Sequence, residues 1–138
     1  MKALLFLAHT FSFTPFAPSL PGVDAVDLPP GEQVDETVVA FVHCEDEDVD
    51  KRSSVMGRMH RQVKWLASKM DLHSVVLHSF THLSASKSAP DFAEQFIEEL
   101  AERLRRNGYR VSITPFGYTC SWTLSVYGES IAKVFVQF

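Results

Sequence analysis

Three short apolar runs, separated by segments with helical periodicity, constrain the fold of this chain more than any other feature. The runs cover residues 2–8, 37–44 and 74–80, and each has the length and continuity of a buried strand. Residues 54–70 and the segment that begins near Ser88 instead repeat apolar side chains at helical spacing. Strands that alternate with amphipathic helices predict an α/β fold in which the helices cover a sheet.

The last third of the chain adds three shorter predicted strands. Residues 109–113 follow Asn107-Gly108, a pair that typically ends a helix with a residue in the left-handed conformation. The side chains of residues 118–127 alternate between two faces, as in a strand. Gly128-Glu129 fits a two-residue hairpin turn that would pair the final strand, 131–138, with the strand before it. We therefore predict a mixed sheet with two helices packed on one of its faces.

Three further segments lead to local predictions. Residues 14–35 contain five of the seven prolines, which predicts a long loop, and a loop of that length is expected to cover something. The acidic run 45–50 is predicted to be a solvated charged loop. Ser88 followed by Asp91 predicts a capping box at the start of the second helix.

Length and composition limit the class of protein. A chain of 138 residues that is nearly half hydrophobic can bury one core, so we predict a single domain over residues 1–138. The apolar run at the start stops at His9-Thr10, which favours a first strand over a signal peptide. No segment approaches the ~20 apolar residues that a membrane span needs. A net charge of −4 does not indicate a polyanionic partner, so any RNA must meet a local basic patch.

The familiar cofactor and metal motifs are absent from the sequence. No glycine-rich nucleotide loop, His-Glu-x-x-His, Cys-x-x-Cys or Gly-x-Ser-x-Gly elbow occurs, so we expect neither a cofactor nor a metal. Cys44 and Cys120 lack metal-ligand spacing and are expected to be free thiols in a reducing compartment, as in a cytoplasmic protein. Cys120 shares a strand face with Trp122, where burial would make a nucleophilic thiol inert.

Two segments stand out as candidate pocket walls, because each follows a predicted strand. The first runs from His78 to Ser84, and within it His82 is the histidine that we favour as a catalytic residue. The second is Thr114-Pro115-Phe116-Gly117-Tyr118. Phe116-Gly117 has two interpretations: a simple turn, or a place where backbone N–H groups approach a ligand closely.

The residues from Val75 to Val126 resemble the N-terminal editing domain of archaeal threonyl-tRNA synthetases. They carry phenylalanine, one further residue and His-Leu-Ser as Phe80 to Ser84, and Pro-Phe-Gly-Tyr as Pro115 to Tyr118. Upstream, residues 1–5 and 39–42 stand where that family has strands, so the resemblance extends over nearly the whole chain. It implies a D-aminoacyl-tRNA deacylase-like fold, usually a homodimer.

The resemblance also implies a reaction and a site. The reaction is hydrolysis of serine from mischarged Ser-tRNA(Thr), with Thr-tRNA(Thr) spared, and the partners are the tRNA 3′ end and a synthetase catalytic half. The implied chemistry relies on main-chain groups and on the tRNA's terminal 2′-hydroxyl. Catalytic positions carried over from the family are His82, Phe116 and Cys120. The implied substrate-binding residues are Cys44, Glu45, Ser79, Thr81, His82, Phe116, Gly117, Tyr118 and Thr119.

Two positions depart from the family pattern. Cys120 stands where the family often has a lysine, and Lys133 stands where it has an acid on the last strand. The predicted hairpin places Lys133 opposite Leu124, about 13 Å along the strand from Cys120 at ~3.3 Å per residue. Such a separation argues against direct compensation between the two changes.

Two other functions stay open on the sequence alone. One is a D-aminoacyl-tRNA deacylase, although the Ser-Gln-Phe-Thr and Gly-Pro motifs of that family are missing. The other is a non-catalytic ligand-binding or dimerisation module of a longer enzyme. The cations available for RNA are Arg58, Arg61, Lys64, Arg103, Arg105, Arg106 and Arg110, which equally suit ordinary solvated helix faces.

Overall fold

The computed structural model describes residues 1–138 and contains a six-stranded mixed sheet with two helices, as predicted. The strands are β1 (Lys2–Pro18), β2 (Glu32–His43), β3 (Ser74–Ser79), β4 (Arg110–Ile113), β5 (Tyr118–Val126) and β6 (Lys133–Gln137). The helices are α1 (Arg52–Ser68) and α2 (Pro90–Arg106), and short 3-10 turns lie at Asp46–Asp48 and Ser130–Ala132. Neither α1 nor α2 has the length and apolar character that crossing a membrane requires.

The sheet is built around β1, which is far longer than the predicted strand 2–8. Its neighbours give the order β4-β3-β2-β1-β5, with β6 also paired to β1. Residues 2–6 of β1 pair with β6 and residues 8–18 pair with β5, both antiparallel. Beyond the polar residues His9 and Thr10 the strand goes on, with Phe11 and Phe13 buried and the residues between and directly after them more exposed. The predicted loop 14–35 therefore shrinks to residues 19–31.

The predicted hairpin between the last two strands is wrong. The chain makes a 3-10 turn after β5, and β6 then pairs with β1, so that Lys133 lies opposite Phe6. Leu124 pairs instead with Phe11. The Lys133 ammonium group donates to the carbonyl of Tyr127 at 3.0 Å, which fixes it at the turn and away from Cys120.

Both helices pack on one face of the sheet, as predicted. Val63 and Leu66 of α1 and Phe96 and Leu100 of α2 are fully buried in one cluster with Leu5 of β1. The opposite face forms a separate apolar cluster that contains no helical residue and is built from Ala8, Phe11, Phe13, Val39, Phe41 and Val76. The sheet thus has one helix-covered face and one helix-free face.

Two local predictions are corrected by the structure. The second helix begins at Pro90 with Ala89 as its N-cap, and the Ser88 hydroxyl donates to the Ala89 carbonyl, so no capping box forms. The acidic run is solvated only in part: Asp46, Glu47 and Asp50 are exposed, whereas Glu45 and Asp48 are buried. The reason is a buried positive charge, the α-ammonium group of Met1, which binds both carboxylates.

Candidate functional site

The parallel strands β2, β3 and β4 end at the same edge of the sheet, and a cavity of about 320 Å³ opens there. Cys44 follows β2, His78 and Ser79 close β3, and Thr114 follows β4. The carboxyl ends of parallel strands are where α/β folds place their ligands, because loops and helix N-termini converge at that edge.

Three further segments complete the walls of the cavity. The start of α2 contributes Pro90 and Ala93, and the turn 114–118 forms the facing wall. Ser19 and Leu20 come from the proline-rich segment, so this segment covers part of the cavity. The loop between β3 and α2 supplies Thr81, Lys87 and Ser88. Parts of both segments chosen from the sequence therefore line one cavity.

The cavity is lined by six of the residues that the sequence predicted for the site. They are Cys44, Ser79, Thr81, Phe116, Gly117 and Tyr118. Four others do not line it: Glu45, His82, Thr119 and Cys120. The roles in binding or catalysis that the sequence suggests for these four residues remain predictions.

His82 and Cys120 both belong to the helix-free side of the sheet. The His82 ring is exposed and packs edge-on against Phe80, with 5.0 Å between ring centroids. Cys120 lies opposite Pro15 of β1 and packs against the helix-free cluster, and burial raises the pKa of its thiol. Thr119 donates its hydroxyl to the Ala17 carbonyl at 3.2 Å. None of the three is among the residues that line the cavity.

Glu45 does not line the cavity but directly follows Cys44, which does. Its carboxylate accepts hydrogen bonds from the Met1 ammonium at 2.7 Å and, on the other oxygen, from the Ser84 hydroxyl at 2.5 Å. Burial alone would raise the pKa of Glu45, but the bonds from Met1, Ser84 and Lys2 outweigh it and lower the pKa to about 2. Glu45, which is charged at neutral pH, thus ties the amino terminus to the loop after β3.

The same loop is held at two more points by the end of β2. The His43 ring accepts a bond from the Leu83 N–H at Nδ1 (3.1 Å), so its Nε2–H donates to the Ser86 carbonyl at 2.7 Å. The Ser88 N–H donates to the Cys44 carbonyl at 3.0 Å. These bonds hold the loop after β3 against the end of β2.

The floor of the cavity is uncharged. Cys44, His78, Thr114 and Ala93 are buried. Burial raises the pKa of the Cys44 thiol to about 12 and lowers the pKa of His78 to about 4, so both are neutral at physiological pH. His78 Nδ1 lies 2.8 Å from the Thr114 hydroxyl oxygen, which fixes the ring.

The rim carries one positive charge. Lys87 is the only lysine, arginine or carboxylate residue that lines the cavity, and it is exposed and makes no ion pair. The arginines predicted for RNA contact near the end of α2 lie elsewhere: Arg106 is thirteen residues beyond Ala93, about 20 Å along a helix. Arg103 and Arg105 are also paired with glutamates of the same helix.

Three backbone amides at the cavity have no partner within the chain. The N–H groups of Thr81, Phe116 and Gly117 make no hydrogen bond, whereas the neighbouring Phe80 and Thr114 N–H groups are both paired. All three residues line the cavity. Free N–H groups beside a cavity are the donors that an oxyanion or a carbonyl oxygen needs.

Sequence reasoning missed several lining residues. Lys87 and Ser88 sit in an irregular loop, and no periodicity shows where such a loop passes. His78 could have been preferred over His82 by its position within β3, because a side chain on a strand is held rigidly while one in the following loop is not.

Gly117 has a conformation that no other residue type would adopt easily. Its φ is +85°, and an added Cβ would lie 2.8 Å from Cγ1 of Val23. We expect Gly117→Ala to cost more stability than Gly108→Ala by about 1–3 kcal/mol, the usual cost of overpacking. Gly108 is the matched control, because its φ is +91° and nothing lies within 4 Å of an added Cβ. Urea unfolding of the two variants measures the difference, and equal losses would contradict the close packing of Val23.

Comparison with known proteins gives a consistent picture. The family model described as the Archaea-specific editing domain of threonyl-tRNA synthetase matches residues 1–138. The threonine–tRNA ligase of Thermococcus onnurineus is 29% identical over 102 residues, which are 74% of this chain and 16% of that protein. The ligase of Nitrosopumilus maritimus is 28% identical over 133 residues, which are 96% of this chain and 21% of that protein. The chain thus spans about a fifth or less of the length of these relatives.

A solved structure supports the fold. The c-Myc DNA Unwinding Element Binding Protein superposes with a TM-score of 0.70 over 100% of this chain and 99% of its own, at 15% sequence identity. The fold is accordingly of the D-aminoacyl-tRNA deacylase type.

Proposed function

This chain belongs to the Archaea-specific editing-domain family of threonyl-tRNA synthetases, and from that premise we propose that it hydrolyses the aminoacyl ester of tRNA(Thr) mischarged with L-serine and spares Thr-tRNA(Thr). The need for such a reaction is physical. Serine lacks only the methyl group of threonine, and a binding site gains only ~1–3 kcal/mol of discrimination from one missing methyl. A second, smaller site must therefore remove the serine that a synthetase attaches in error.

The observation that carries the proposal is the cavity with three unpaired amides. The three amides belong to Thr81, Phe116 and Gly117, which are part of the two segments that carry the family motifs and line the cavity. Attack of water on an ester creates an oxyanion, and preorganised N–H donors stabilise it without reorganisation. A site built from backbone in this way needs no catalytic triad, and the chain shows none.

The proposal also explains why the cavity lacks a general base. A base works best when its pKa lies near the working pH, whereas the pKa of Cys44 is raised to about 12 and that of His78 is lowered to about 4. We propose that the terminal 2′-hydroxyl of the tRNA positions the attacking water instead, since this group is unique to RNA and adjacent to the ester.

Deacylation assays separate this function from its alternatives. Purified protein should release serine from L-Ser-tRNA(Thr) and leave D-Tyr-tRNA intact, and the reverse preference would indicate a D-aminoacyl-tRNA deacylase. A Ser-tRNA(Thr) whose terminal adenosine lacks the 2′-hydroxyl should be hydrolysed at least ~100-fold more slowly, the size of effect that one catalytic group contributes. An undiminished rate on that substrate would reject the RNA-assisted step.

Lys87 is proposed to contact a phosphate of the tRNA 3′ end at the rim. Replacing it with methionine should weaken binding to every acceptor sequence and reduce the slope of log affinity against log salt by about one. Lys69→Met is the matched control, because Lys69 is an exposed lysine just after α1, at the opposite end of the sheet. Equal salt slopes for the two variants would contradict the rim contact.

The helix-free face is proposed to form a homodimer. Trp122 and Phe135 project from it with 45% and 54% of their surface exposed, although both are large apolar residues. Trp122 lies beside Phe13 and Phe135 lies beside Leu4, so an interface that runs along β1 would cover both exposed side chains. Sedimentation equilibrium should show a dimer that Phe135→Lys dissociates, and a monomeric wild-type protein at tens of micromolar would reject the proposal.

We further propose that the reaction takes place in the cytoplasm, where a threonine–tRNA ligase catalytic half, linked or separate, supplies the mischarged tRNA.

A further inference from the structure

The floor of the cavity presents one polar atom that the fold leaves without a partner. His78 lies there with 8% of its surface exposed, and its Nδ1 is occupied by the Thr114 hydroxyl at 2.8 Å. Its other ring nitrogen, Nε2, makes no hydrogen bond, and unlike the unpaired Nε2 of His60 it is not completely buried. His78 is one of the residues that line the cavity, and Nε2 is the ring nitrogen that no protein group occupies.

The ring is held rigidly in this position. Thr114 is itself fixed by its N–H, which donates to the Leu77 carbonyl at 3.1 Å. The Phe41 ring packs against His78 at a centroid distance of 5.1 Å and an interplanar angle of 81°. A polar atom held from two sides is suited to recognise one chemical group in one place.

The charges around the cavity indicate which group this is. No aspartate or glutamate lines the cavity, so nothing at the floor would compensate a buried α-ammonium group. The lysine at the rim favours phosphate at the mouth. An aminoacyl ester would therefore enter with its amino-acid side chain deepest and its ammonium group toward solvent.

Resting on the proposed function, we infer that His78, oriented by Thr114, recognises the side-chain hydroxyl of the aminoacyl group through its Nε2 atom. His78 is thus a specificity-determining residue, and Thr114 is a positioning residue that acts through it. A neutral imidazole suits the task, because it exchanges a hydrogen bond with a hydroxyl and introduces no charge. The site then selects hydroxylated amino acids and rejects aliphatic ones of the same size.

The test compares serine and alanine esters on the same tRNA(Thr), which differ only in the hydroxyl. Wild-type protein should hydrolyse the serine ester with a kcat/KM roughly 10- to 100-fold higher, because the alanine ester leaves Nε2 unpaired. His78→Asn retains an amide near Nδ1 for Thr114 but removes the tip of the ring, so the ratio should fall to about one. His78→Gln places an amide near Nε2 and should retain part of the preference.

The outcomes separate the inference from its premise. Equal rates on the two esters with wild-type protein would overturn the inference alone, and so would an equal loss on both esters in His78→Asn. Hydrolysis of neither ester by wild-type protein would overturn the proposed function as well. Thr114→Val and Thr114→Ser add a second arm that does not alter the ring: valine should lower the serine-to-alanine ratio, while serine should preserve it. Identical ratios in these two variants would contradict the positioning role of Thr114.

Discussion

Replacing Asp48 with asparagine is expected to lower the free energy of unfolding by about 3–5 kcal/mol, the usual cost of removing one partner from a buried ion pair. Asp48 has no exposed surface, and its two oxygens accept from the Met1 ammonium at 2.8 Å and from the Glu45 N–H at 2.7 Å. An asparagine amide would turn its NH₂ group toward one of these donors. The α-ammonium group would also lose half of its compensating charge.

Asp50→Asn is the matched control for this change. Asp50 belongs to the same acidic run but is exposed and makes no hydrogen bond or ion pair, so its replacement should change stability by less than about 0.5 kcal/mol. Urea unfolding monitored by tryptophan fluorescence measures both variants. If Asp48→Asn unfolds at the same urea concentration as Asp50→Asn, the buried charge cluster does not stabilise the fold.

The second large effect is a loss of stability in mild acid that depends on His78. Burial lowers the pKa of His78 from its ordinary value of 6.5 to about 4. Between these values the unfolded chain binds a proton that the folded chain does not, so stability is fully present above pH 6.5 and falls as the pH drops toward 4. At ~1.4 kcal/mol per pH unit, the loss attributable to His78 between pH 7 and pH 4.5 is about 2–3 kcal/mol.

Comparison with His78→Asn isolates this contribution. The variant lacks the titrating group, so the difference between the two unfolding free energies should shrink by about 2–3 kcal/mol as the pH falls from 7 to 4.5. Glu45 does not obscure the result, because its stabilising charge is lost only between pH 4.5 and about 2. Parallel stability curves for the two proteins would show that His78 is not buried as described, and an NMR titration of its ring gives an independent check.

The parts of the fold that the sequence predicts are those set by local pattern. Continuous apolar runs correctly indicate β2 and β3, and the helical stripe that includes Phe96 and Leu100 correctly indicates α2. The pairing of β6 could not be predicted, because a Gly-Glu pair fits a hairpin equally well in isolation. β6 instead pairs with residues 2–6 of β1, next to the stretch that pairs with β5, and this choice depends on contacts between strands distant in sequence.

The candidate site divides in the same way. Residues at strand ends and in the Pro115–Tyr118 turn are found from sequence, since their position follows from the fold class. The burial of Glu45 and Asp48 could not be predicted from the sequence. The ammonium group that compensates them belongs to Met1, which is 44 residues away from Glu45 and comes beside it only because β1 pairs with β2. Charge in the sequence indicates solvent exposure only when no opposite charge is brought into contact by the fold.

The most direct test of the proposed function is the rate of ester hydrolysis on one tRNA(Thr) charged in parallel with serine and with threonine. With enzyme in excess over substrate, the first-order rate constant for serine release should exceed that for threonine by at least about tenfold, the lower limit of what one methyl group allows. The proposal attributes this difference to the extra methyl of threonine, which would have to fit against the buried floor that contains Cys44, Thr114 and Ala93. Equal rate constants, or the absence of serine release, would contradict the proposal that this cavity is a serine-selective editing site.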